Sequence, residues 1–310
     1  KSDTDKTLNF SNWQLYIDVD EKDPNKRPTL DEFTKQTGVK VSYVEDINDN
    51  DSFYAKIAPA LRAGQDTGKD IFALTDWMAA RLIRQGYVQK VDKANLPNVD
   101  KNLIDSLKAP TWDPQREHSA PWQSGVTGIA YNSAKVGEVK SVEELLTRAD
   151  LKGKVTVLTE WRDTIGLILL QQGKDPSNFT DDDFMNAVDY LQKSNDSGQI
   201  RQVTGNDYLT ALENKDVVAV IGWSGDVAAL GGDYEFSLPE SGGTLWTDNM
   251  LIPAMAGHQK NAETVMNYYY DPKAAAQVAA YVQYITPVAG VQEEIAKIDP
   301  SLTENQLIFP

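Results

Sequence analysis

The chain has 310 residues, 41% of them hydrophobic and 25% charged, which is the composition of a globular protein of about two domains. Its formal net charge of −16 at pH 7 argues against nucleic acid and anionic membrane surfaces as general partners, because both require a positively charged surface. The absence of cysteine excludes disulfide scaffolds, thiolate zinc sites and cysteine nucleophiles.

Strands and helices alternate in the first third of the chain. A short strand is predicted at 8–10, a helix from about Thr29 to the residue before Gly38, and a strand with alternating hydrophobicity at 39–44. The elements that follow are a helix at 51–62, a buried strand at 71–74 and a helix at 76–84. This spacing predicts βαβ units and therefore an α/β sheet.

The same alternation continues to the end of the chain. A strand at 128–131 precedes a helix that Ser141 opens, and a β-branched strand at 155–158 leads directly into a helix through Leu170. The remaining predicted elements are a helix at 180–192 with Thr180 and Asp183 as a capping box, strands at 217–221 and 250–252, and helices at 262–270, 273–281 and 291–297. No linker rich in Gly, Pro or Ser divides the chain, so two domains would be joined by more than one crossing.

The motifs of common enzymes and metal sites are incomplete. Segment 64–70 lacks one residue of a phosphate loop, and the serine of 222–225 lacks the second spaced glycine of a nucleophile elbow. Segment 46–57 lacks the central glycine and the final glutamate of a calcium loop. The two histidines, His118 and His258, are far apart in sequence, so no histidine-rich metal site is predicted.

Aromatic rings and acids recur where predicted strands end. The rings are Trp13 and Tyr16 after the first strand, Trp77 after 71–74, Trp161 after 155–158, Trp223 after 217–221 and Trp246 before 250–252. The acids beside them are Glu160, Asp163 and Asp248. Because ligands bind at the carboxyl ends of strands in open α/β sheets, this combination favours a ligand site. Core packing is the alternative for each ring, and helix capping or pairing with Arg162 is the alternative for the first two acids.

Rings and carboxylates in one cleft are suited to an alkylammonium ion. Each ring face attracts a cation by about 0.5–2 kcal/mol, depending on desolvation. Each carboxylate adds a charge-assisted hydrogen bond. The pattern therefore predicts a cationic ligand.

Short segments distributed along the chain also carry a family pattern. They are 12–17 (NWQLYI), 37–41 (TGVKV), 70–77 (DIFALTDW), 86–88 (GYV), 96–98 (LPN), 121–129 (PWQSGVTGI), 158–163 (LTEWRD), 222–225 (GWSG), 242–248 (GGTLWTD) and 284–287 (YITP). On these segments the chain resembles the polyamine-binding (spermidine/putrescine) substrate-binding proteins of ABC transporters over nearly its whole length.

The resemblance implies an α/β, type II periplasmic-binding-protein fold, in which two α/β lobes are joined by a hinge and the ligand lies in an interlobe cleft. The implied lobes are 1–125 with 247–292, and 126–246 with 293–310. The implied ligand-binding residues are the rings Trp13, Tyr16, Trp77, Trp223, Trp246 and Tyr284 and the acids Glu160, Asp163 and Asp248.

Several features depart from the family pattern: Trp77 stands where tyrosine is frequent, and the loop 18–28 is longer than usual. Leu15 stands where an acid or another polar residue is common, and Trp161 stands between the two acids where smaller residues are usual. The indole could add a wall to the site or pack beneath it. These departures leave open which polyamine is preferred.

The implied function is that of a solute-binding protein, not an enzyme, that captures putrescine or spermidine and delivers it to the membrane subunits of an ABC permease. We expect a monomer with no cofactor, no metal and no nucleic-acid partner. The alternatives are the same module with another amine-bearing solute, such as γ-aminobutyrate or a quaternary ammonium ion, and, less favoured, a glycoside hydrolase with Glu160 and Asp248 as its carboxylate pair.

An extracytoplasmic location is expected, either periplasmic or lipid-anchored at the cell surface. The first residues contain no apolar signal segment, so the chain is expected to be the mature form. No apolar run reaches the roughly 18–20 residues that span a bilayer.

Overall fold

The computed structural model describes residues 3–310 of the chain. The strands in this range are β1 (Thr7–Trp13), β2 (Lys40–Ile47), β3 (Ile71–Thr75), β4 (Ser119–Asn132), β5 (Val155–Leu158), β6 (Ile200–Thr204), β7 (Ala219–Trp223), β8 (Tyr234–Ser237) and β9 (Thr244–Leu251). The α-helices are α1 (Pro28–Thr37), α2 (Asn50–Arg62), α3 (Asp76–Arg84), α4 (Pro97–Asn102), α5 (Val142–Thr147), α6 (Trp161–Gln171), α7 (Asp181–Asp196), α8 (Tyr208–Glu213), α9 (Ser224–Leu230), α10 (Gln259–Tyr269), α11 (Pro272–Val282) and α12 (Val291–Ile298). No helix among these residues is long and apolar enough to cross a membrane.

The chain divides into two compact units. Unit 1 runs up to Ser124 and resumes from Thr247 to Pro310, and unit 2 is Gly125–Trp246. The chain enters unit 2 within β4 and returns to unit 1 within β9. Residues 293–310, which the sequence interpretation assigned to the second lobe, belong to unit 1, because α12 packs against α11 of that unit.

The sheet of unit 1 has the strand order β2-β1-β3-β9. Strand β1 is parallel to β2 and β3, and β9 is antiparallel to β3, with Thr75 opposite Asp248. Strand β3 is a near-continuous buried apolar run, whereas β2 at the edge of the sheet is mostly exposed or half-buried; Phe10 of β1 and Phe72 of β3 lie in the core. Because β1 and β3 run in the same direction, their carboxyl ends, Trp13 and Thr75, lie at one edge of the sheet.

The sheet of unit 2 has the order β4-β7-β5-β6, and β8 pairs with the other side of β4. Strand β5 is parallel to β6 and β7, whereas β4 is antiparallel to β7. The carboxyl ends of β5 and β7 therefore lie at one edge, where Glu160 follows β5 and Trp223 ends β7. Glycine at position 222 lets the ring of Tyr208 approach closely, because a Cβ there would lie 3.0 Å from ring atoms of Tyr208 and the ring would have to shift.

Local signals predicted most of the helices, but not α4, α8 or α9. Helix α3 has its predicted bounds, α1 ends before Gly38 at φ +75°, and Thr180 and Asp183 form a complete capping box before α7. Ser141 caps α5 by accepting a hydrogen bond from the backbone N–H of Glu144.

The strand ends differ from the prediction. Trp13 and Trp223 are the last residues of β1 and β7 instead of following them, and Trp246 lies within β9 instead of preceding it. These strands continue because neighbouring strands pair with them: Trp13 pairs with Ile47, and Trp223 with Thr127. Strand β4 is far longer than the predicted 128–131 for the same reason.

Candidate ligand-binding site

Asp248 is the centre of a polar cluster in unit 1. The residue is only 4% exposed. Its Oδ2 accepts a hydrogen bond from the hydroxyl of Tyr16 at 2.7 Å, and its Oδ1 accepts one from the hydroxyl of Thr75 at 2.7 Å. The amide of Asn50 holds Thr75 in turn, because Nδ2 donates to Thr75 Oγ1 at 2.9 Å and Oδ1 accepts from the Thr75 backbone N–H at 3.2 Å. The carboxylate is therefore fixed by hydroxyl donors on both sides.

Tyr16 joins this carboxylate to an aromatic group. Its ring meets that of Tyr284 edge to face, with centroids 5.3 Å apart and planes at 81°. The indole nitrogen of Trp122 donates to the Tyr16 carbonyl oxygen at 3.1 Å and holds the backbone in place. Burial and then the charge of Asp248 raise the pKa of Tyr16 well above its ordinary value, so its hydroxyl remains a donor.

The other predicted residues of unit 1 lie at the carboxyl ends of β1 and β3. Trp13 is buried, and its indole nitrogen donates to the carbonyl oxygen of Ala73 at 3.0 Å. Trp77 is half-buried in the first turn of α3. Leu15, the departure from the family pattern, has φ +54°, and its backbone N–H donates to Glu45 Oε2 at 2.9 Å. The turn between Trp13 and Tyr16 thus adopts a left-handed conformation that is uncommon for leucine.

Asp163 is the corresponding acid of unit 2. Its Oδ2 accepts from the indole nitrogen of Trp223 at 3.1 Å, and its Oδ1 accepts from the hydroxyl of Thr244 at 3.0 Å. The residue is half-buried in the first turn of α6. Removal from water raises the pKa of Asp163, and the hydrogen bonds from Trp223 and Thr244 oppose that rise.

The indole ring of Trp223, which bonds to this acid, meets a second indole ring. The rings of Trp223 and Trp246 have centroids 6.3 Å apart and planes at 72°. Behind Trp223, its backbone N–H donates to the hydroxyl of Tyr208 at 2.9 Å, and that hydroxyl donates to Asp226 Oδ2 at 2.5 Å. Asn206 Nδ2 donates to the same carboxylate oxygen at 2.9 Å. This buried network holds the end of β7.

Glu160 stands immediately before α6 and is buried. Its carbonyl oxygen accepts from the backbone N–H groups of Asp163 and Thr164, at 3.0 and 3.1 Å, which starts the helix. Its side chain makes no capping hydrogen bond to the helix. The capping alternative for Glu160 is therefore wrong.

Trp161 packs on the outer surface of unit 2. It is 41% exposed, and its ring meets that of Phe184 in α7 edge to face at 5.8 Å. The guanidinium of Arg162 lies over the indole, 4.3 Å from the ring centroid. These contacts explain how a bulky residue is accommodated between the two acids.

Sequence reasoning missed the residues that hold the site in place. Thr75 and Asn50 hold Asp248 in unit 1, and Thr244 holds Asp163 in unit 2. The end of β7 is held by Tyr208, Asp226 and Asn206. Thr75 and Thr244 lie inside segments that carry the family pattern, so polar residues at strand ends were the available signal. Within the part of the chain that the structure describes, no group of three or more His, Asp or Glu residues could hold a metal ion.

The class of protein follows from comparison of the chain with known families. The family described as bacterial extracellular solute-binding protein matches residues 29–309, and the chain belongs to this family. It has the α/β fold of the periplasmic binding proteins, as expected. The expected extracytoplasmic location is likewise confirmed, because the family is extracellular.

Individual relatives have more specific descriptions than the family as a whole. The chain is 30% identical over 303 residues to the putrescine-binding periplasmic protein PotF of Escherichia coli K12, covering 90% of this chain and 77% of the relative. It is 26% identical over 316 residues to the spermidine/putrescine-binding periplasmic protein of the same organism, covering 100% and 84%. The solved structure of the spermidine/putrescine ABC transporter substrate-binding protein PotD of Streptococcus pneumoniae has the same fold, with a TM-score of 0.74, 24% identity and coverage of 98% and 89%.

Proposed function

We propose that this protein binds a polyamine such as putrescine or spermidine outside the cytoplasm, delivers it to the membrane subunits of an ABC importer, and catalyses no reaction. The names of its relatives support the ligand class. The observation that carries the proposal is the buried carboxylate of Asp248, which is fixed by two hydroxyl groups beside the rings of Tyr16 and Tyr284.

This arrangement suits an ammonium group. Tyr16 and Thr75 orient the Asp248 carboxylate without neutralising its charge, because both donors are uncharged hydroxyls. A primary ammonium brings up to three N–H donors, and a bond to a carboxylate in a dry environment is stronger than one in water. Aromatic rings attract the charge and pack against the methylene groups.

Unit 2 supplies a second acid with rings. Asp163 lies against Trp223, and Trp223 against Trp246. A diamine has an ammonium group at each end, whereas a monoamine has only one. We therefore infer that residues of both units contribute to binding and that a ligand with two positive charges is preferred to γ-aminobutyrate or choline.

Titration calorimetry of the purified protein with putrescine, spermidine, γ-aminobutyrate and choline tests this function. We expect dissociation constants in the micromolar range or below for at least one polyamine and much weaker binding of the other two ligands. Tight binding of γ-aminobutyrate or choline alone would refute the polyamine assignment and favour another amine-bearing solute. Turnover of a glycoside would refute the assignment as a binding protein.

The variant Trp246→Ala tests the aromatic part of the proposal. Loss of one ring face should weaken polyamine binding by about 10-fold, since a cation–π contact contributes up to roughly 2 kcal/mol when desolvated. Trp161→Ala in the same unit is the matched control, because that ring packs on Phe184. Equal losses in the two variants would place the indole of Trp161 in the site as well, and no loss in either would remove both rings from it.

A further inference from the structure

A second series of hydrogen-bonded polar side chains lies in unit 1, on the opposite side of β9 from the Asp248 carboxylate. Successive side chains of a strand point to opposite faces, so Asn249 points away from the Tyr16 hydroxyl that holds its neighbour Asp248. Asn249 is completely buried. Its Oδ1 accepts from Arg116 Nη1 at 2.8 Å, and its Nδ2 donates to Asp76 Oδ1 at 2.7 Å. One amide therefore connects a cation to a carboxylate.

Arg116 is rigidly held at its end of this series. It is buried, its Nε donates to the Leu107 carbonyl oxygen at 2.8 Å, and its Nη1 also donates to the hydroxyl of Ser119 at 3.0 Å. That hydroxyl in turn donates to the buried Asp113 at 2.7 Å. The guanidinium thus has a fixed position from which it can orient Asn249.

Asparagine satisfies both of these neighbours with one side chain. A guanidinium can only donate hydrogen bonds, and an ionised carboxylate can only accept them. Position 249 must therefore offer one acceptor and one donor, which the oxygen and the nitrogen of a single amide group supply. Aspartate there would place a second negative charge against Asp76, and leucine would leave both buried groups without this partner.

Asp76, at the other end of this series of hydrogen bonds, stands beside residues of the proposed ligand site. Asp76 is the first residue of α3 and follows Thr75, whose hydroxyl donates to Asp248. It precedes Trp77. The bond from Asn249 therefore fastens the junction between β3 and α3 to β9, next to the strand pair formed by Thr75 and Asp248.

We propose that Asn249 is a positioning residue for ligand binding: its amide links the immobile Arg116 to Asp76, fixes the junction 75–77, and so holds the Thr75 hydroxyl where it orients the Asp248 carboxylate. This inference rests on the proposed function, because it assigns a role in ligand affinity. It adds Asn249 and Arg116, which lie outside the segments that carry the family pattern.

Exchanging the amide at position 249 and the carboxylate at position 76 tests the proposal. Asn249→Asp alone sets two carboxylates against each other and should weaken putrescine and spermidine binding by about 10-fold, as expected for loss of one buried polar contact. The double variant Asn249→Asp with Asp76→Asn restores the pairing, because the new carboxylate accepts from Arg116 and the new amide donates to it. Its affinity should return to within about 3-fold of the original value, which is the behaviour of a coupled pair.

One further single variant, Asp76→Asn, completes the cycle, and a second variant is a charge control. Asn25→Asp, in the exposed loop before α1, adds the same charge at a remote position and should leave the affinity unchanged. Asp76→Asn lies at a half-buried position and should fold even if Asn249→Asp does not. It should weaken binding by less than Asn249→Asp does, because an amide can still accept from Asn249 Nδ2.

Hydrogen exchange without ligand separates this inference from the proposed function. Backbone amides of 74–79 should exchange faster in Asn249→Asp than in the original protein, and should recover in the double variant. If the original protein binds no polyamine, the proposed function fails, and the exchange rates still decide whether Asn249 holds the junction. Unchanged exchange and affinity in Asn249→Asp, or a double variant no better than the single one, would overturn the inference.

Discussion

The two acids with the clearest geometry, Asp248 in unit 1 and Asp163 in unit 2, are held in different ways. Asp248 lies on strand β9, is nearly inaccessible and accepts from two hydroxyl groups. Asp163 lies in the first turn of a helix, is half-buried, and accepts from an indole nitrogen and one hydroxyl. A strand pair and a tyrosine fix the first acid, whereas the second depends on a ring that is itself a proposed ligand contact. We therefore expect unit 1 to anchor the ligand and unit 2 to adjust its affinity.

The largest effect is expected for Asp248→Asn. Removing one partner of a buried charged hydrogen bond costs about 2–5 kcal/mol, so polyamine affinity should fall by at least about 30-fold in calorimetry. Asp105→Asn in the same unit is the matched control, because that carboxylate is exposed and pairs only at the surface with Lys108. A loss of less than about 3-fold in Asp248→Asn would contradict the anchoring role of unit 1.

A smaller loss is expected for Asp163→Asn. The acid is less buried than Asp248, so its bond to an ammonium is better screened, and we expect a fall of about 10-fold. Calorimetry under the same conditions gives the ratio of the two losses. A larger loss for Asp163→Asn than for Asp248→Asn would reverse the comparison between the units.

Asp163→Asn is expected to weaken ligand binding but to increase the stability of the folded protein. Burial raises the folded-state pKa of Asp163, so the folded protein holds the proton more tightly than the unfolded chain. The stability that this provides is complete below the ordinary pKa and is lost as the pH rises through the raised pKa. At neutral pH, Asp163→Asn should therefore have a higher thermal midpoint than the original protein, and the difference should shrink at acid pH.

Thermal unfolding between pH 3 and pH 7 measures this difference. Asp182→Asn in α7 is the control, because its carboxylate is exposed in the first turn of a helix and a stability change of no more than about 0.5 kcal/mol is expected. A midpoint that falls at neutral pH in Asp163→Asn would show that the hydrogen bonds to Trp223 and Thr244 outweigh the burial of the charge.

The smallest effect is expected from salt. Charges in a site that excludes water are screened less than exposed ones, so polyamine affinity should fall only about 2- to 5-fold between 0.05 and 0.5 M sodium chloride. The fall should be steeper in Asp248→Asn, because binding then depends more on the accessible acid of unit 2. An equal salt dependence in both proteins would show that the two acids are equally screened.

Much of the secondary structure was predictable from neighbouring residues. The ends of α1, α3 and α7 depend on bonds between residues three or four apart, such as the pair Thr180 and Asp183, and these were predicted. The residue types of the site were also visible, because rings and acids recur at the ends of predicted strands.

The sequence by itself thus determined the α/β alternation, the helix caps and the supply of rings and carboxylates. Only the tertiary structure decided where Trp13 and Trp246 sit in their strands, that residues 293–310 belong to unit 1, and which groups hold each acid. The physical reason is distance along the chain: the hydroxyl of Tyr16 meets Asp248 across 232 residues, and Asn249 meets Asp76 across 173. A helix cap is set by its own turn, whereas a carboxylate in a sheet is held by whichever strands the whole fold brings beside it.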